Sequence, residues 1–485
     1  MVLNIVLGFV NRTLFIRLLG AEYLGINGLF ADILMMLSLA DLGLTTAMAY
    51  SYYKPIAEKD TAKLSSLVRY YKRIYQFLAV AVAVCGLLLV PFLRFLVRTD
   101  RVIPNLELYY VLILANTVVS YLFVFKSTLI SADQRQYVIS RTHAFISVMR
   151  TIGQIIALLV FRAYEAYLIT NIIFTVIQNL VISRKADELY PFINEKSDDL
   201  SKEEKKSIFT NISSLFIYKT ATMVMNGTDN TLISVMVGTV WVGIYSNYNM
   251  IINYLNGFVN LLYSSSTASI GNIIASQQKK QRQDAFLMIQ TLSLLVATFT
   301  TICLGILITD FINVWLGGSF LLDQATTIVI IFNFYLMGIM YPIWSFREAS
   351  GLFNQTKHVM PIVSGINLVL SVILGRPYGV TGILFASSIA RITNICYEPR
   401  ILFRMYLDLP VRQFYLPLIT NFVIVAGSLA ALHWGFSYFP VNGWLTLFLK
   451  ACVTGLLALG ITLLVYRKTS GYQMIKQRVL ALVRR

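Results

Sequence analysis

The chain has 485 residues, of which 57% are hydrophobic and 13% are charged, and its mean hydropathy is +0.69. A water-soluble protein of this length needs far more charged surface, so the composition excludes a soluble enzyme and indicates a chain that crosses a membrane many times. The net charge of +17 is typical of cytoplasmic loops near anionic lipid. We therefore expect anionic membrane lipids as partners and no nucleic acid.

Apolar stretches recur from one end of the sequence to the other, with short polar breaks between them. Because a spanning helix needs about 20 mostly apolar residues, these stretches predict an all-α polytopic membrane protein with about fourteen transmembrane helices and no separate catalytic domain. The predicted helices cover residues 1–19, 27–53, 72–97, 106–130, 141–162, 165–184, 208–237, 240–270, 285–308, 324–348, 358–375, 379–400, 412–436 and 443–466. The first is short, and Asn11 and Arg12 predict an interruption there or a start upstream of Met1.

The longest polar stretch lies between helices 6 and 7 and divides the sequence into halves. Ser201 and Glu204 predict a short capped surface helix in this stretch. The resulting organisation is a six-helix bundle at 1–190, a cytoplasmic linker at 191–207, a second six-helix bundle at 208–405, helices 13 and 14 at 406–466, and a basic tail at 467–485. We expect the tail to lie on the inner leaflet.

Lysine and arginine are distributed unequally between the two sets of loops. The loops between helices 2 and 3 and between helices 6 and 7, together with the C-terminal tail, hold most of them. The opposite set holds only Arg17, Arg94, Arg98, Arg101, Arg162 and Arg376. Because basic residues are retained in the cytoplasm during insertion, this distribution predicts cytoplasmic termini and a location in a bacterial cytoplasmic membrane.

An internal repeat relates the two halves. The segment from Asn11 to Gly20, followed by Leu24-Gly25-Ile26, recurs 218 residues later from Asp229 to Gly238, followed by Val242-Gly243-Ile244. Helix 1 therefore corresponds to helix 7, and the even number of intervening spans predicts a parallel repeat of two six-helix bundles. Two such bundles can enclose a cleft that opens alternately to either side, as in a rocking transporter.

Ionisable residues within the predicted spans are the main site candidates, because each costs about 2.5–3.5 kcal/mol at a helix centre and needs a partner or a wet cavity. We expect Arg12, Lys219 and Arg391 to bind substrate in the cleft, although a structural ion pair with Asp41 or Asp229 is an equal alternative. Asp41 and Asp229 are also candidates for ion coupling, and Asp41 is favoured over Asp32 as the one that faces the cleft. Arg17 and Arg150 are expected to reach the lipid headgroups.

Polar amides add to these candidates. On helix 7, Asn226 and Asn230 share a face with Asp229. On helix 8, a stripe of one residue per turn is formed by Asn249, Asn253, Asn256 and Asn260. Carboxamides suit hydroxyl-rich ligands, and hydrogen bonding between helices is the alternative role. The scattered cysteines and histidines predict no metal site, and no phosphate-binding GxxxxGK[ST] loop occurs, so we expect no cofactor and no ATP hydrolysis.

Three segments carry a resemblance to a known family. They are the run from Phe15 to Phe30, the sequence Asp41-Leu42-Gly43, and the run from Val242 to Tyr248. The chain resembles the bacterial polysaccharide-biosynthesis flippases, in the O-antigen and capsule branch of the multidrug/oligosaccharidyl-lipid/polysaccharide (MOP) exporter superfamily. This resemblance implies alternating-access transport of undecaprenyl-diphosphate-linked oligosaccharide to the outer leaflet, with cationic residues receiving the diphosphate. A polysaccharide polymerase and ligase are the further partners it implies.

Two other functions compete with the flippase. An ion-coupled multidrug antiporter of the same superfamily would export cationic aromatic compounds. A membrane glycan polymerase or ligase would need a sizeable external loop, whereas the longest external break here runs only from about Arg98 to Glu107. We therefore expect a transporter and not an enzyme.

Overall fold

The structure is a computed structural model that describes residues 2–37, 44–99, 103–194, 199–275, 279–350 and 352–483. The described chain is helical throughout, with no strand. It divides by packing into two compact units, Met1–Gly243 and Ile244–Arg485. This division falls later than the predicted linker, so the helix that follows the linker packs within the first unit.

The first unit consists of ten helices and the beginning of an eleventh. They are α1 (Val2–Leu19), α2 (Ala21–Leu37), α3 (Leu44–Glu58), α4 (Thr61–Leu89), α5 (Leu93–Leu96), α6 (Leu106–Tyr121), α7 (Val124–Ala132), α8 (Gln136–Phe161), α9 (Tyr164–Leu189), α10 (Lys202–Met236) and α11 (Thr239–Ala275). Within it, α8 packs against α1 and α9, α6 packs against α9, and α10 packs against α2.

The second unit contains the rest of α11 and seven further helices. They are α12 (Lys279–Leu316), α13 (Gln324–Ser350), α14 (Phe353–Thr356), α15 (Val359–Leu402), α16 (Arg412–Phe436), α17 (Trp444–Tyr466) and α18 (Ser470–Val483). The helix α15 contains two predicted spans, which meet at a kink where Gly379 has φ +56°. A π-helical turn at Phe403–Leu407 follows it.

All fourteen predicted spans fall on these helices wherever the structure describes them, which confirms the all-α fold. In the described part, eight helical segments are long and apolar enough to cross a membrane, or ten if each of two bent pairs forms one span. Large apolar side chains such as Phe77, Phe95 and Leu456 are at least 70% exposed. Apolar helices with apolar outer faces identify a multi-pass membrane protein.

Two details of the predicted helices are wrong. The first helix is not interrupted, because α1 continues through Asn11 and Arg12. The Asn11 side chain instead donates to Gln154 Oε1 on α8 at 3.1 Å, so its polar group is satisfied without breaking the helix. The predicted capping box at Ser201 and Glu204 is present, but it begins the 35-residue helix α10 and not a separate short helix.

The internal repeat is visible in the backbone at matching positions. Gly20 and Gly238 both have positive φ, +96° and +144°, and a helix begins directly after each. Five residues further on, Gly25 and Gly243 lie in reciprocal contact: a Cβ on Gly25 would lie 2.0 Å from the Thr239 carbonyl oxygen, and one on Gly243 would lie 2.1 Å from that of Ala21. Only glycine permits so close a crossing of α2 and α11.

Within the second unit, a buried hydrogen-bonded network joins α16 and α17 to α12 and α13. Asn421 on α16 donates to Thr298 Oγ1 at 2.5 Å and to the Tyr466 hydroxyl at 2.6 Å, and it accepts from the Tyr335 hydroxyl at 2.8 Å. Because Asn421 is 1% exposed, these bonds satisfy a polar group that would otherwise be costly to bury. They connect α12, α13, α16 and α17.

Candidate functional site in the first unit

Helix α9 contributes side chains to two sites from one face. Tyr164, Tyr167, Leu168, Asn171 and Gln178 recur at intervals of three, four and seven residues and therefore lie on one side of the helix. Leu168 and Asn171 border a cavity, whereas Tyr167 and Gln178 interact with two arginines.

The arginines belong to α1 and α8. The Arg150 guanidinium donates to Gln178 Oε1 at 3.0 Å. The Tyr167 side chain is close enough to both Arg12 and Arg150 to interact with them electrostatically. We name Arg12, Arg150, Tyr167 and Gln178 the arginine cluster. It places two positive charges next to a neutral phenol and a neutral amide, and this arrangement attracts anions with phosphate oxygens in particular.

The position of Arg150 differs from the prediction that it reaches the headgroups. Because α8 begins at Gln136 and ends at Phe161, Arg150 is the fifteenth of its 26 residues and lies near the middle of the helix. Its partner Gln178 is likewise the fifteenth of the 26 residues of α9. The Arg150 guanidinium is therefore held by an amide near the middle of two packed helices.

Aromatic rings separate the arginine cluster from the cavity. Tyr164 stacks on Tyr167 with ring centroids 6.3 Å apart, and Phe15 packs edge-on against both rings. Tyr164 is 1% exposed, and its hydroxyl donates to Asn27 Oδ1 on α2 at 3.0 Å. Packed aromatic side chains of this kind fix the spacing between the two polar groups.

The cavity has a volume of about 410 Å³ and lies between α2, α6 and α9. Its polar lining consists of Asn27, Asn116, Thr117, Ser120 and Asn171, and none of its described lining residues is charged. Asn116 Oδ1 is buried and accepts no hydrogen bond. We name this space the amide cavity.

A further polar contact joins α2 and α10. Asn230 Nδ2 donates to Asp32 Oδ2 at 2.5 Å. The sequence predicts that Asn230 lines a cleft. In the structure its amide contacts Asp32, the aspartate that the sequence disfavours relative to Asp41. Asp229, on the adjacent position, is partly exposed and has an interaction partner.

The remaining predicted site residues are distributed as follows. Asp41 lies outside the described residues, as do the side chains of Lys219 and Asn226 on α10. In the second unit Arg391 lies on the second half of α15, is partly exposed and has an interaction partner.

Along the asparagine stripe of α11, Asn253 and Asn260 are exposed, whereas Asn249 and Asn256 are partly buried. Asn260 Oδ1 accepts from the Tyr341 hydroxyl on α13 at 2.8 Å. At this one position the hydrogen bond between helices, the alternative role, is present.

The structure also brings together residues that the sequence interpretation missed. Asn116, Asn171 and Gln178 are amides within the predicted spans 106–130 and 165–184. Amides within apolar spans indicate candidate site residues, because polar side chains there need a partner or a cavity. Asn116 and Asn171 line one cavity but lie on α6 and α9, so their convergence was not predictable from spacing.

Several solved structures have a fold similar to that of this chain. The lipid II flippase MurJ in its inward closed conformation has a TM-score of 0.66 and 18% identity, covering 96% of this chain and 97% of that one. An inward-facing MATE multidrug transporter of the MOP superfamily has a TM-score of 0.61 and 12% identity, over 83% and 94% of the two chains. The MATE transporter VcmN of Vibrio cholerae has a TM-score of 0.58 and 12% identity, over 84% and 94%.

The sequence matches no protein-family model and no curated protein. The likeness to MurJ covers almost the full length of both chains, and the other two structures named above are described as MATE transporters. The chain thus has the all-helical fold of the MOP transporters.

Proposed function

We propose that the protein is a flippase that moves undecaprenyl-diphosphate-linked oligosaccharide from the inner to the outer leaflet of a bacterial cytoplasmic membrane, by alternating access, for surface polysaccharide synthesis. The observation that carries this proposal is the arginine cluster. Arg12 and Arg150 lie beside Tyr167 within apolar helices, and Arg150 has a neutral amide as its hydrogen-bond partner. A diphosphate offers this cluster several acceptor oxygens and up to two negative charges.

The charge of the cluster also bears on the competing function. An antiporter for cationic aromatic compounds requires a site that tolerates a positive ligand. Two guanidinium groups at membrane depth repel such a ligand, and the repulsion is stronger where the dielectric constant is low. The cluster therefore favours a phosphate-containing substrate over a cationic drug. Lys219 and Arg391 remain further candidates for the diphosphate, and Asp229 and Asp41 for coupling ions.

The test is the double variant Arg12→Gln and Arg150→Gln, expressed in a strain whose surface glycan depends on this protein. Loss of charge-assisted contacts worth about 1.5–3 kcal/mol each should abolish surface glycan and leave lipid-linked glycan on the inner side. The matched control is Arg162→Gln, which neutralises an exposed arginine just after α8. Membrane levels of each variant are measured by immunoblotting.

Two results would contradict the proposal. One is full glycan export by the double variant at normal membrane level, which would remove the arginine cluster from the transport path. The other is normal glycan with sodium- or proton-dependent resistance to cationic aromatic drugs that the double variant retains or increases. That result would establish the antiporter instead.

A further inference from the structure

We infer that the amide cavity binds a sugar ring of the transported headgroup. This inference rests on the proposed function, because it assigns the carbohydrate part of the same substrate to a second site. The cavity is lined by neutral amides and hydroxyls, and α9 contributes residues both to it and to the arginine cluster. It thus separates recognition of the sugar from recognition of the diphosphate.

The size of the cavity suits one sugar. At about 30 Å³ for each water molecule, a volume of about 410 Å³ has room for about a dozen water-sized groups. A single metal ion or water would leave most of this space unfilled, whereas one hexose or N-acetylhexosamine is comparable with it in size. Ligand pockets typically begin at about 300 Å³.

The lining chemistry also suits a sugar. Asn116 Oδ1 is buried without a hydrogen-bond donor, and such an acceptor is costly unless a ligand or a water donates to it. The Asn27 oxygen accepts from Tyr164, which leaves its amide nitrogen to donate. Sugar hydroxyls both donate and accept, and therefore match carboxamides of both kinds. The apolar lining residues Leu112 and Met35 can contact the C–H groups of a ring.

The positions of the arginine cluster and the amide cavity also support a sugar site. In a diphosphate-linked glycan the first sugar is bonded directly to the second phosphate, so the two sites must be neighbours. Tyr167 of the arginine cluster and Asn171 of the amide cavity are four residues apart on α9. That spacing corresponds to about 6 Å along the helix axis. One bound headgroup can therefore place its phosphate at the arginine cluster and its sugar in the amide cavity.

The experiment compares binding of three lipids to purified full-length protein in detergent. The probes are undecaprenyl diphosphate alone, the same lipid carrying one N-acetylglucosamine, and the same lipid carrying one galactose. Wild-type protein is compared with Asn116→Leu and Asn171→Ala by native mass spectrometry. The matched control is Asn179→Ala, which removes an amide on the same helix that lies outside the cavity lining and donates from Nδ2 to the Val119 carbonyl oxygen at 3.3 Å.

We expect the wild type to bind at least one sugar-bearing lipid more tightly than the bare diphosphate lipid. Asn116→Leu and Asn171→Ala should reduce that sugar-dependent advantage by about 3- to 10-fold, the effect of one lost neutral hydrogen bond. Their affinity for the bare lipid should be unchanged, and Asn179→Ala should bind all three lipids as the wild type does. Because Asn116→Leu removes a buried acceptor without a donor, its thermal midpoint should equal or exceed that of the wild type.

The possible failures are distinguishable. If the wild type binds the bare diphosphate lipid but neither sugar increases its affinity, the amide cavity is not a sugar site, whereas the proposed function stands. The same conclusion follows if both cavity variants keep the full sugar-dependent advantage, or if they weaken all three lipids equally. If the wild type binds none of the three lipids, the proposed function fails and the inference fails with it.

Discussion

The reciprocal contact between Gly25 and Gly243 allows the effect of a single methyl group to be worked out from the structure. In Gly25→Ala, the new Cβ would lie 2.0 Å from the Thr239 carbonyl oxygen and 3.1 Å from the Gly243 nitrogen. Cβ atoms essentially never approach another heavy atom closer than 3.0 Å. The obstructing atom belongs to the backbone, so α2 and the beginning of α11 must separate by at least about 1 Å.

Overpacking of this kind typically costs about 1–3 kcal/mol. With a shift of about 2–4 °C for each kcal/mol in a domain of about 150–250 residues, the size class of the unit Met1–Gly243, we expect Gly25→Ala to lower the thermal midpoint of that unit by roughly 2–12 °C. The midpoint is measured by heating a detergent-purified fluorescent fusion and following its monodisperse peak by size-exclusion chromatography. Gly243→Ala should behave alike, because its Cβ would meet the Ala21 carbonyl oxygen at 2.1 Å.

The control is Gly28→Ala, three residues further along α2. There a Cβ would meet Val242 Cγ1 at 3.5 Å, an ordinary contact, and alanine is the better helix former. This variant should match or exceed the wild type. If Gly25→Ala is as stable as Gly28→Ala, the close crossing of the two helices does not exist and the reasoning from the repeat fails.

Two ion pairs give the remaining predictions. Arg347 and Glu398 are 4% and 1% exposed and form an ion pair at 2.5 Å. Glu398→Leu should therefore destabilise the second unit by about 3–5 kcal/mol, and the double variant that also carries Arg347→Met should recover most of that loss. Equal thermal midpoints for the single and double variants would count against a buried pair. Lys63 hydrogen bonds with Glu204 and lowers the pKa of that carboxyl. Because the folded pKa lies below the unfolded one, this partly exposed pair contributes its modest stability at neutral pH and loses it as the pH falls through the lowered folded pKa. The difference in thermal midpoint between wild type and Glu204→Gln should therefore shrink on acidification, and a difference that grows instead would refute the assignment.

Hydropathy alone located the spans, because the absence of water in the membrane forces each apolar segment into a helix. It could not assign depth to individual residues. The predicted span 141–162 already has Arg150 as the tenth of its 22 residues, so the expectation that Arg150 reaches the headgroups did not come from the bounds of the span. What the sequence could not supply is the partner Gln178, because that residue lies on another helix.

The repeat and the helix cap were predictable because both are encoded locally. Matching glycines five residues apart and a serine three residues before a glutamate carry their meaning in their spacing. No local spacing pattern in the sequence predicts the amide cavity. Asn27, Asn116 and Asn171 meet only because α2, α6 and α9 pack together, and a single sequence does not specify which helix faces are neighbours.

The glycine crossing repeats one contact at two equivalent positions. Each glycine contacts the carbonyl group that corresponds, 218 residues away, to the one contacted by its counterpart. That is the pattern of a self-complementary interface, in which the same patch is used twice. A larger side chain at either glycine therefore meets the same obstruction.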